Sequence, residues 1–75
     1  MIMGRAVLDD VARDHRLSVQ EIRGRGRSDY LSCARRAAAR RMREELGYSY
    51  PQIGELLARD HTTIHFLLNG KRRDR

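Results

Sequence analysis

The stretch SYPQIGELLARDHTTI, residues 49–64, decides the fold, because it carries the starts of two successive helices. Ser49 is followed three residues later by Gln52, which predicts a capping box at the start of the first helix. Pro51 fits the first turn of that helix, where its missing N–H has no partner to lose. The apolar residues that follow at helical spacing form the predicted buried face of this helix: Ile53, Leu56 and Leu57.

A second helix follows after a short turn. Ala58 and Arg59 turn the chain, and Asp60 is a capping residue for a helix that begins with His61. The predicted buried residues of this helix are Ile64, Leu67 and Leu68. Asn69-Gly70 ends it. Two short helices joined by a turn of about three residues, the second beginning with polar residues, are typical of a helix–turn–helix.

Two helices are predicted near the start of the chain. Residues 5–15 carry an amphipathic helical pattern made by Val7, Leu8, Val11 and Ala12. Ser18 and Glu21 have the spacing of another capping box, which opens a short helical turn through Ile22. Residues 23–27, RGRGR, then form a basic loop, because two glycines keep this segment out of regular structure.

A long helix connects this loop to the helix–turn–helix. Ser28 or Asp29 caps its start, and it runs to about Leu46 before Gly47 ends it. Its apolar stripe is Leu31, Ala34, Ala38, Met42 and Leu46, and its other faces carry Arg35, Arg36, Arg40, Arg41 and Arg43. The sequence therefore predicts an all-α fold of about five short helices. Residues 1–75 are interpreted as one domain, with residues 71–75 as a basic tail.

The net charge indicates a polyanionic partner. The chain has 16 Lys and Arg against 10 Asp and Glu, which gives a formal charge of +6. Residues 1–22 hold three basic and four acidic residues, whereas residues 23–75 hold thirteen basic and six acidic ones. The positive charge therefore belongs to the later two-thirds of the chain, and nearly all of it is Arg, which suits bidentate contacts to phosphates and bases.

Length and composition exclude several classes of protein. A 75-residue chain has too small a core for a deep catalytic cavity, so no enzyme activity, cofactor or small-molecule substrate is expected. The apolar runs are too short to span a membrane, and Cys33 is alone, which fits a reducing cytoplasm. His61 and His65 have metal-ligand spacing, but Thr62 stands where a zinc protease has Glu and no further ligand is near, so no metal is expected.

The second helix of the pair presents groups that suit a DNA major groove. The side opposite its apolar residues carries Thr62, Phe66 and Asn69, with His65 at the edge and Asp60 and His61 at the start. Asp accepts from cytosine N4, His and Thr bond to base edges, and a Thr methyl or a Phe ring meets a thymine methyl. Capping alone would explain Thr63 and partly explain Asp60, but it leaves His61 and Thr62 unexplained.

The arginines fall into three groups. Arg23, Arg25 and Arg27 lie in the basic loop, where they suit a narrow minor groove, and a solvated mobile loop is the alternative. The second group, Arg36, Arg40 and Arg43, forms one stripe on the long helix, with an exposed face balanced by Glu44 and Glu45 as the alternative. The tail at residues 71–75 is interpreted as nonspecific phosphate attraction. About six phosphate contacts predict a log–log salt slope of roughly −5.

Residues 59–64, RDHTTI, preceded by residues 49–54, SYPQIG, resemble the signature of the C-terminal DNA-binding domain of the bacterial replication initiator DnaA. That domain has a Trp-repressor-like helical architecture, and the resemblance extends over residues 7–69. It implies that three residues read bases in the major groove: Asp60, His61 and Thr62. It also implies that Thr63 touches a phosphate, that an Arg of the basic loop enters the adjacent minor groove, and that Arg36 contacts the backbone or a base.

The sequence departs from the family pattern in four places. Ala58 alone stands where the family has Gly-Gly, Ala37 replaces a usual Gln, and His65-Phe66 replaces Leu-His. The family's closing helical segment is also absent. No Walker motif or ATPase region is present, so the sequence is not that of a full initiator. Because it begins with Met1, the chain is interpreted as a stand-alone small protein of bacterial or phage origin, with an excised domain as the alternative.

These observations predict a sequence-specific double-stranded DNA-binding protein, cytoplasmic and associated with the nucleoid, that regulates transcription or replication by occupying initiator-like sites. The alternative is a small basic protein-interaction or dimerisation module, whose Phe66-Leu67-Leu68 surface docks on another protein or forms a homodimer, with incidental nonspecific DNA binding. The candidate DNA-binding residues are Arg23, Arg25, Arg27, Arg36, Arg40, Arg43, Arg59, Asp60, His61, Thr62, Thr63, His65 and Phe66.

Overall fold

A computed structural model describes residues 3–26 and 28–69 of the chain. Five α-helices follow one another: α1 Met3–Asp14, α2 Val19–Arg23, α3 Asp29–Leu46, α4 Tyr50–Leu57 and α5 His61–Asn69. The described residues contain no β-strand, so the predicted all-α fold with five helices is confirmed. Arg27, Gly70 and the predicted basic tail lie outside the described residues.

Side-chain caps define where the helices begin. Ser18 and Ser49 both form complete capping boxes with the residues three positions later, as the sequence predicted. At α3, the Leu31 N–H donates to Ser28 Oγ at 3.1 Å. Gly47 ends α3 in the left-handed conformation, with φ of 68°, which glycine adopts without steric strain. Capping residues close in the sequence therefore determine where these helices begin and end.

The long helix α3 lies at the centre of the fold and packs against each of the other four helices. Its residues Ala34, Ala38 and Met42 are buried, whereas Leu31 and Leu46, at the ends of the predicted stripe, are only half-buried. The largest fully buried side chains come from all five helices: Leu8, Ile22, Met42, Ile53, Leu57 and Ile64. A small core of this kind depends on each of these residues.

Three expectations about burial were wrong. Leu56, predicted on the buried face of α4, is only half-buried. Arg35, predicted on an outer face of α3, is only 6% exposed, because its guanidinium reaches backbone carbonyls of the neighbouring loop. On α5, Ile64 is buried as predicted, but Leu67 and Leu68 are half-buried, since α5 lies at the edge of the bundle. Ile64 is thus the fully buried residue of α5, and Leu67 and Leu68 add partly buried contacts with the core.

Candidate nucleic-acid interface

The turn between α4 and α5 is tight because of two backbone features. Ala58 adopts the left-handed conformation, with φ of 57° and ψ of 43°, and the Arg59 N–H donates to the Gly54 carbonyl at 2.8 Å. A Cβ atom added at Gly54 would lie 2.5 Å from the Arg59 carbonyl oxygen, so only glycine permits this approach. The turn places Asp60 directly at the start of α5.

Asp60 caps α5, as the sequence predicted. The Thr62 N–H donates to Asp60 Oδ2 at 3.2 Å, which gives one of the free N–H groups at the helix start a partner. Hydrogen bonds from the Thr62 side chain and N–H, with a smaller contribution from His61, hold the pKa of Asp60 below its ordinary value. The carboxylate is therefore charged at neutral pH and still exposed.

The outer side of α5 is free among the described residues. His61, Thr62 and Thr63 are exposed, and the Phe66 ring is 72% exposed although it is strongly apolar. On the opposite side, Ile64 is completely buried. The structure thus leaves the predicted base-contacting residues exposed over the first turn of α5, while Ile64 fixes the helix to the core.

His65 and Asn69 face the neighbouring helix α4. The His65 and Tyr50 rings meet edge to face, with 5.4 Å between their centroids, and Asn69 Nδ2 donates to Tyr50 Oη at 3.2 Å. Both residues remain exposed at the surface. Tyr50 was not singled out from the sequence, and it fixes the edge of the exposed side of α5.

The arginine stripe of α3 runs beside the C-terminal half of α5. Arg36 Nε donates to the Leu67 carbonyl at 3.1 Å. Arg43 donates to the Tyr48 carbonyl at 2.9 Å, and its guanidinium lies over the Tyr50 ring, 4.9 Å from the centroid. The residues lining the shallow groove between these helices are Arg40, Arg43, Glu44, Tyr50, Leu68 and Asn69. Arg36 is thus bonded to the predicted recognition helix, whereas Arg43 is held by Tyr48 and by Tyr50 of α4.

Ion pairs lie away from this stripe. In the parts of the chain that the structure describes, Arg41 pairs with Glu45 at 3.2 Å and with Asp10 of α1 at 3.4 Å. Glu45 therefore neutralises Arg41 and does not balance the stripe of Arg36, Arg40 and Arg43. Glu44 lines the same groove as Arg40 and Arg43, so one carboxylate faces the three arginines of the stripe and a net positive charge remains beside α5.

The residues of the basic loop do not all have the same environment. Arg23 is the last residue of α2, and its Nη2 donates to the Glu55 carbonyl of α4 at 3.3 Å. Arg25 is exposed, while Arg27 lies outside the described residues. Arg59, predicted as a DNA contact, turns its side chain toward this loop and donates to the Arg23 carbonyl at 3.4 Å.

Arg35 is a structural residue that the sequence analysis missed. Its guanidinium donates to carbonyl groups of four residues, Glu21, Ile22, Gly24 and Gly26. A signal was present in the sequence, because Arg35, Ala39 and Met42 continue a second stripe at helical spacing, and the latter two are also buried. A charged residue in such a stripe is buried only when it finds enough acceptors.

Two short helices joined by a tight turn, the second with a polar outward side flanked by arginines, define a helix–turn–helix domain of the DNA-binding class. The sequence profile described as "Bacterial dnaA protein helix-turn-helix" matches residues 5–66. The chain therefore belongs to this family, as the resemblance predicted.

The chain is similar to several proteins named chromosomal replication initiator protein DnaA. It is 39% identical over 62 residues to the one from Roseiflexus castenholzii, a match that covers 81% of this chain and 13% of the relative. With the Thermomicrobium roseum protein, identity is 42% over 59 residues, covering 77% and 13%. With the Chloroflexus aggregans protein, it is 36% over 66 residues, covering 87% and 14%. This chain thus corresponds to only about one-seventh of each relative, and no solved structure matches it significantly.

Membrane-spanning helices and clusters of metal-ligating side chains are both absent from residues 3–26 and 28–69. None of the helices there is both long and apolar enough to cross a membrane. The same residues contain no group of three or more His, Cys, Asp and Glu side chains arranged to hold a metal ion.

Proposed function

We propose that residues 1–75 act as one domain that binds double-stranded DNA sequence-specifically, with α5 in the major groove. The observation that carries this proposal is the outward side of α5. It exposes His61, Thr62 and Phe66, while Ile64 fixes the opposite side to the core. A rigid helix with polar groups at its N-terminal end and an apolar ring one turn later matches the hydrogen-bonding edges and methyl groups of the major groove.

Each residue of α5 has a distinct proposed role. Asp60, His61 and Thr62 contact base edges, and Thr63 contacts a phosphate. The exposed Phe66 ring meets a thymine methyl, because burying an isolated aromatic ring against a methyl group removes apolar surface from water. His65, held against Tyr50, borders the same surface.

Phosphate contacts position the domain on the duplex. The proposed contacts are Arg36, Arg40 and Arg43 from α3, and Arg23, Arg25 and Arg27 from the basic loop, which lies in the adjacent minor groove. Arg59 from the turn contributes indirectly, because its guanidinium donates to backbone carbonyls of that loop. The fixed placement of Arg43 over Tyr50 supports this role, because an ordered guanidinium loses less entropy on binding. With about six phosphates neutralised, the log of affinity falls against the log of salt concentration with a slope of about −5.

The proposed mechanism is occupancy. By binding initiator-like sites on the nucleoid, the protein regulates transcription or replication through competition with other proteins for those sites, and it catalyses no reaction. Support comes from the family of the chain, whose matched relatives are named as chromosomal replication initiators.

Base-contacting and phosphate-contacting residues are separated by comparing two duplexes, one selected from a random pool and one with the same bases scrambled. His61→Ala and Thr62→Ala are expected to weaken binding to the selected duplex by about 1–3 kcal/mol and to leave the scrambled duplex unaffected. Arg40→Ala is expected to weaken both about equally. Arg13→Ala, on α1 and paired with Asp10, is the matched control and is expected to change neither. Equal losses on both duplexes from all three interface variants would contradict base reading.

One observation favours a second function. An aromatic ring as exposed as Phe66 also suits a protein contact, either with a second copy of this chain or with another protein. Analytical ultracentrifugation with and without a short duplex separates the two functions. A monomer that forms a one-to-one complex with the duplex supports DNA reading, and a stable dimer that ignores the duplex supports the alternative.

A further inference from the structure

Backbone carbonyls from the end of α2 and from the loop that follows it converge on one buried guanidinium. Arg35 Nε donates to the Ile22 carbonyl at 2.7 Å, and Nη1 donates to Gly26 at 2.9 Å. Nη2 donates to Gly24 at 3.0 Å and to Glu21 at 3.4 Å. These four bonds use most of the five N–H groups of an Arg side chain. Arg35 is therefore committed to the loop and has little capacity left for an external anion.

A second arginine reaches the same loop from the turn of the helix–turn–helix. Arg59 Nη1 donates to the Arg23 carbonyl at 3.4 Å, and Nη2 donates to the Gly24 carbonyl. Arg59 directly precedes Asp60, the cap of α5. The loop is thus tied both to α3, through Arg35, and to the start of α5, through Arg59.

Holding the like charges of Arg35 and Arg59 close together costs free energy. Burial, followed by the nearby charge of Arg59, lowers the pKa of Arg35. Among the described residues neither guanidinium pairs with a carboxylate. The carbonyl dipoles alone compensate the two charges, so the arrangement depends on the fork geometry of Arg, which a Lys ammonium does not reproduce.

The hydrogen bonds of Arg35 and Arg59 also change which charges the loop presents at its surface. Carbonyl oxygens repel phosphate oxygens, and the carbonyls of residues 21–24 and of Gly26 are occupied by the two guanidiniums. Among the described residues of the loop, Arg25 has an exposed side chain. A loop with its negative dipole ends turned inward and a guanidinium outward is suited to a close approach to DNA.

We propose that Arg35 and Arg59 are positioning residues that fix the basic loop relative to α5, so that Arg25 is presented to the minor groove next to the major groove read by α5. This inference rests on the proposed function. Minor-groove reading by Arg25 depends on these two arginines, which act through backbone carbonyls. Minor-groove reading can therefore be lost while major-groove reading by α5 remains.

The test uses a duplex from the random-pool selection that carries an A·T-rich flank, in three forms. The first is unmodified. The second has 2,6-diaminopurine for adenine in the flank, which adds an amino group in the minor groove, and the third has uracil for thymine in the major-groove site, which removes methyl groups. Wild-type protein is expected to bind the second and third forms about tenfold more weakly than the first.

Arg35→Lys is expected to bind the unmodified duplex about tenfold more weakly and to lose its sensitivity to diaminopurine, while its sensitivity to uracil remains. Arg59→Lys, a milder change at a half-buried position, is expected to act in the same direction and carries the test if Arg35→Lys does not fold. Arg41→Lys, at a half-buried position of α3 paired with Glu45, is the matched control and is expected to behave as wild type.

The outcomes separate this inference from the function on which it rests. If the folded Lys variants keep the diaminopurine effect, or if wild type shows none while it responds to uracil, the positioning role is wrong and major-groove reading stands. If wild type distinguishes no duplex at all, the proposed function itself fails. Loss of only the diaminopurine response in the variants supports the inference.

Discussion

The attachment of α5 to the core through Ile64 leads to a quantitative prediction. Ile64 is fully buried, whereas the other apolar residues of the helix are half-buried or exposed. Replacing Ile64 by Ala removes three carbon atoms from the core. At about 0.8 kcal/mol for each buried carbon, the transfer of these atoms contributes about 2.5 kcal/mol.

The cavity left behind increases this cost. Because a small bundle collapses only partly around a void, the total loss for Ile64→Ala is expected to be about 3–4 kcal/mol, and Ile64→Val is expected to lose about 1 kcal/mol. A domain of this size has a free energy of unfolding of about 5 kcal/mol, so Ile64→Ala removes most of it.

Urea denaturation followed by far-ultraviolet circular dichroism measures these losses. Phe66→Ala is the matched control, because it deletes a larger apolar side chain from the same helix at a 72% exposed position, and its expected change is within about 0.5 kcal/mol. A loss below about 1 kcal/mol for Ile64→Ala, or an equal loss for Phe66→Ala, would refute the proposed docking of α5.

For DNA binding, Phe66→Ala is expected to have a larger effect than Ile64→Val, although its effect on stability is expected to be smaller. Phe66→Ala weakens binding to a selected duplex by about 1–2 kcal/mol, because the contact to a thymine methyl is lost. Ile64→Val leaves binding unchanged, because the protein stays folded and its exposed side is intact. Fluorescence anisotropy with a labelled duplex measures both. Equal effects would show that Phe66 acts through the fold and not through the duplex.

Three further predictions concern the turns and the cap. Gly47→Ala is expected to lower the free energy of unfolding, measured in urea, by about 1 kcal/mol, because φ is 68° at this position. An added Cβ would contact nothing, so backbone strain accounts for the whole loss. Ala58→Gly is expected to stabilise it by about 0.5–1 kcal/mol, since Ala58 already has a left-handed backbone; a loss of stability would contradict this. The pKa of Asp60 is lowered in the folded state, so its stabilising effect is present above the unfolded value of about 3.9 and is lost as the pH falls through the folded value. The difference in Tm between wild type and Asp60→Ala is therefore expected to be constant near neutrality and to shrink in acid.

Local signals made most of the fold predictable from the sequence. Ser18 and Ser49 each stand three residues before a side chain that completes a capping box, and Gly47 takes the one conformation that ends α3. These features depend on neighbours within four residues, which a sequence displays directly. The helix–turn–helix followed from the same kind of signal at Asp60.

The environment of the arginines was less accessible to sequence analysis. Arg35 and Arg36 are adjacent in the chain, yet one is buried against loop carbonyls and the other reaches the C-terminal end of α5. The stripe of Arg35, Ala39 and Met42 indicates which arginine faces inward. The acceptors of that arginine depend on where the backbone of residues 21–26 passes in space, and no local pattern encodes that path. The contacts of Arg59 with that loop and of Tyr50 with His65 arise in the same way.

The central claim is that the exposed side of α5 reads a defined base sequence. Selection of bound duplexes from a random pool, carried out in parallel with wild type and with the Thr62→Ala variant, tests it most directly. If α5 reads bases, wild type is expected to enrich one short motif, and Thr62→Ala is expected to relax the preference at specific positions within that motif. A wild-type pool that remains random after repeated rounds would contradict the claim and would leave a nonspecific, charge-driven binder.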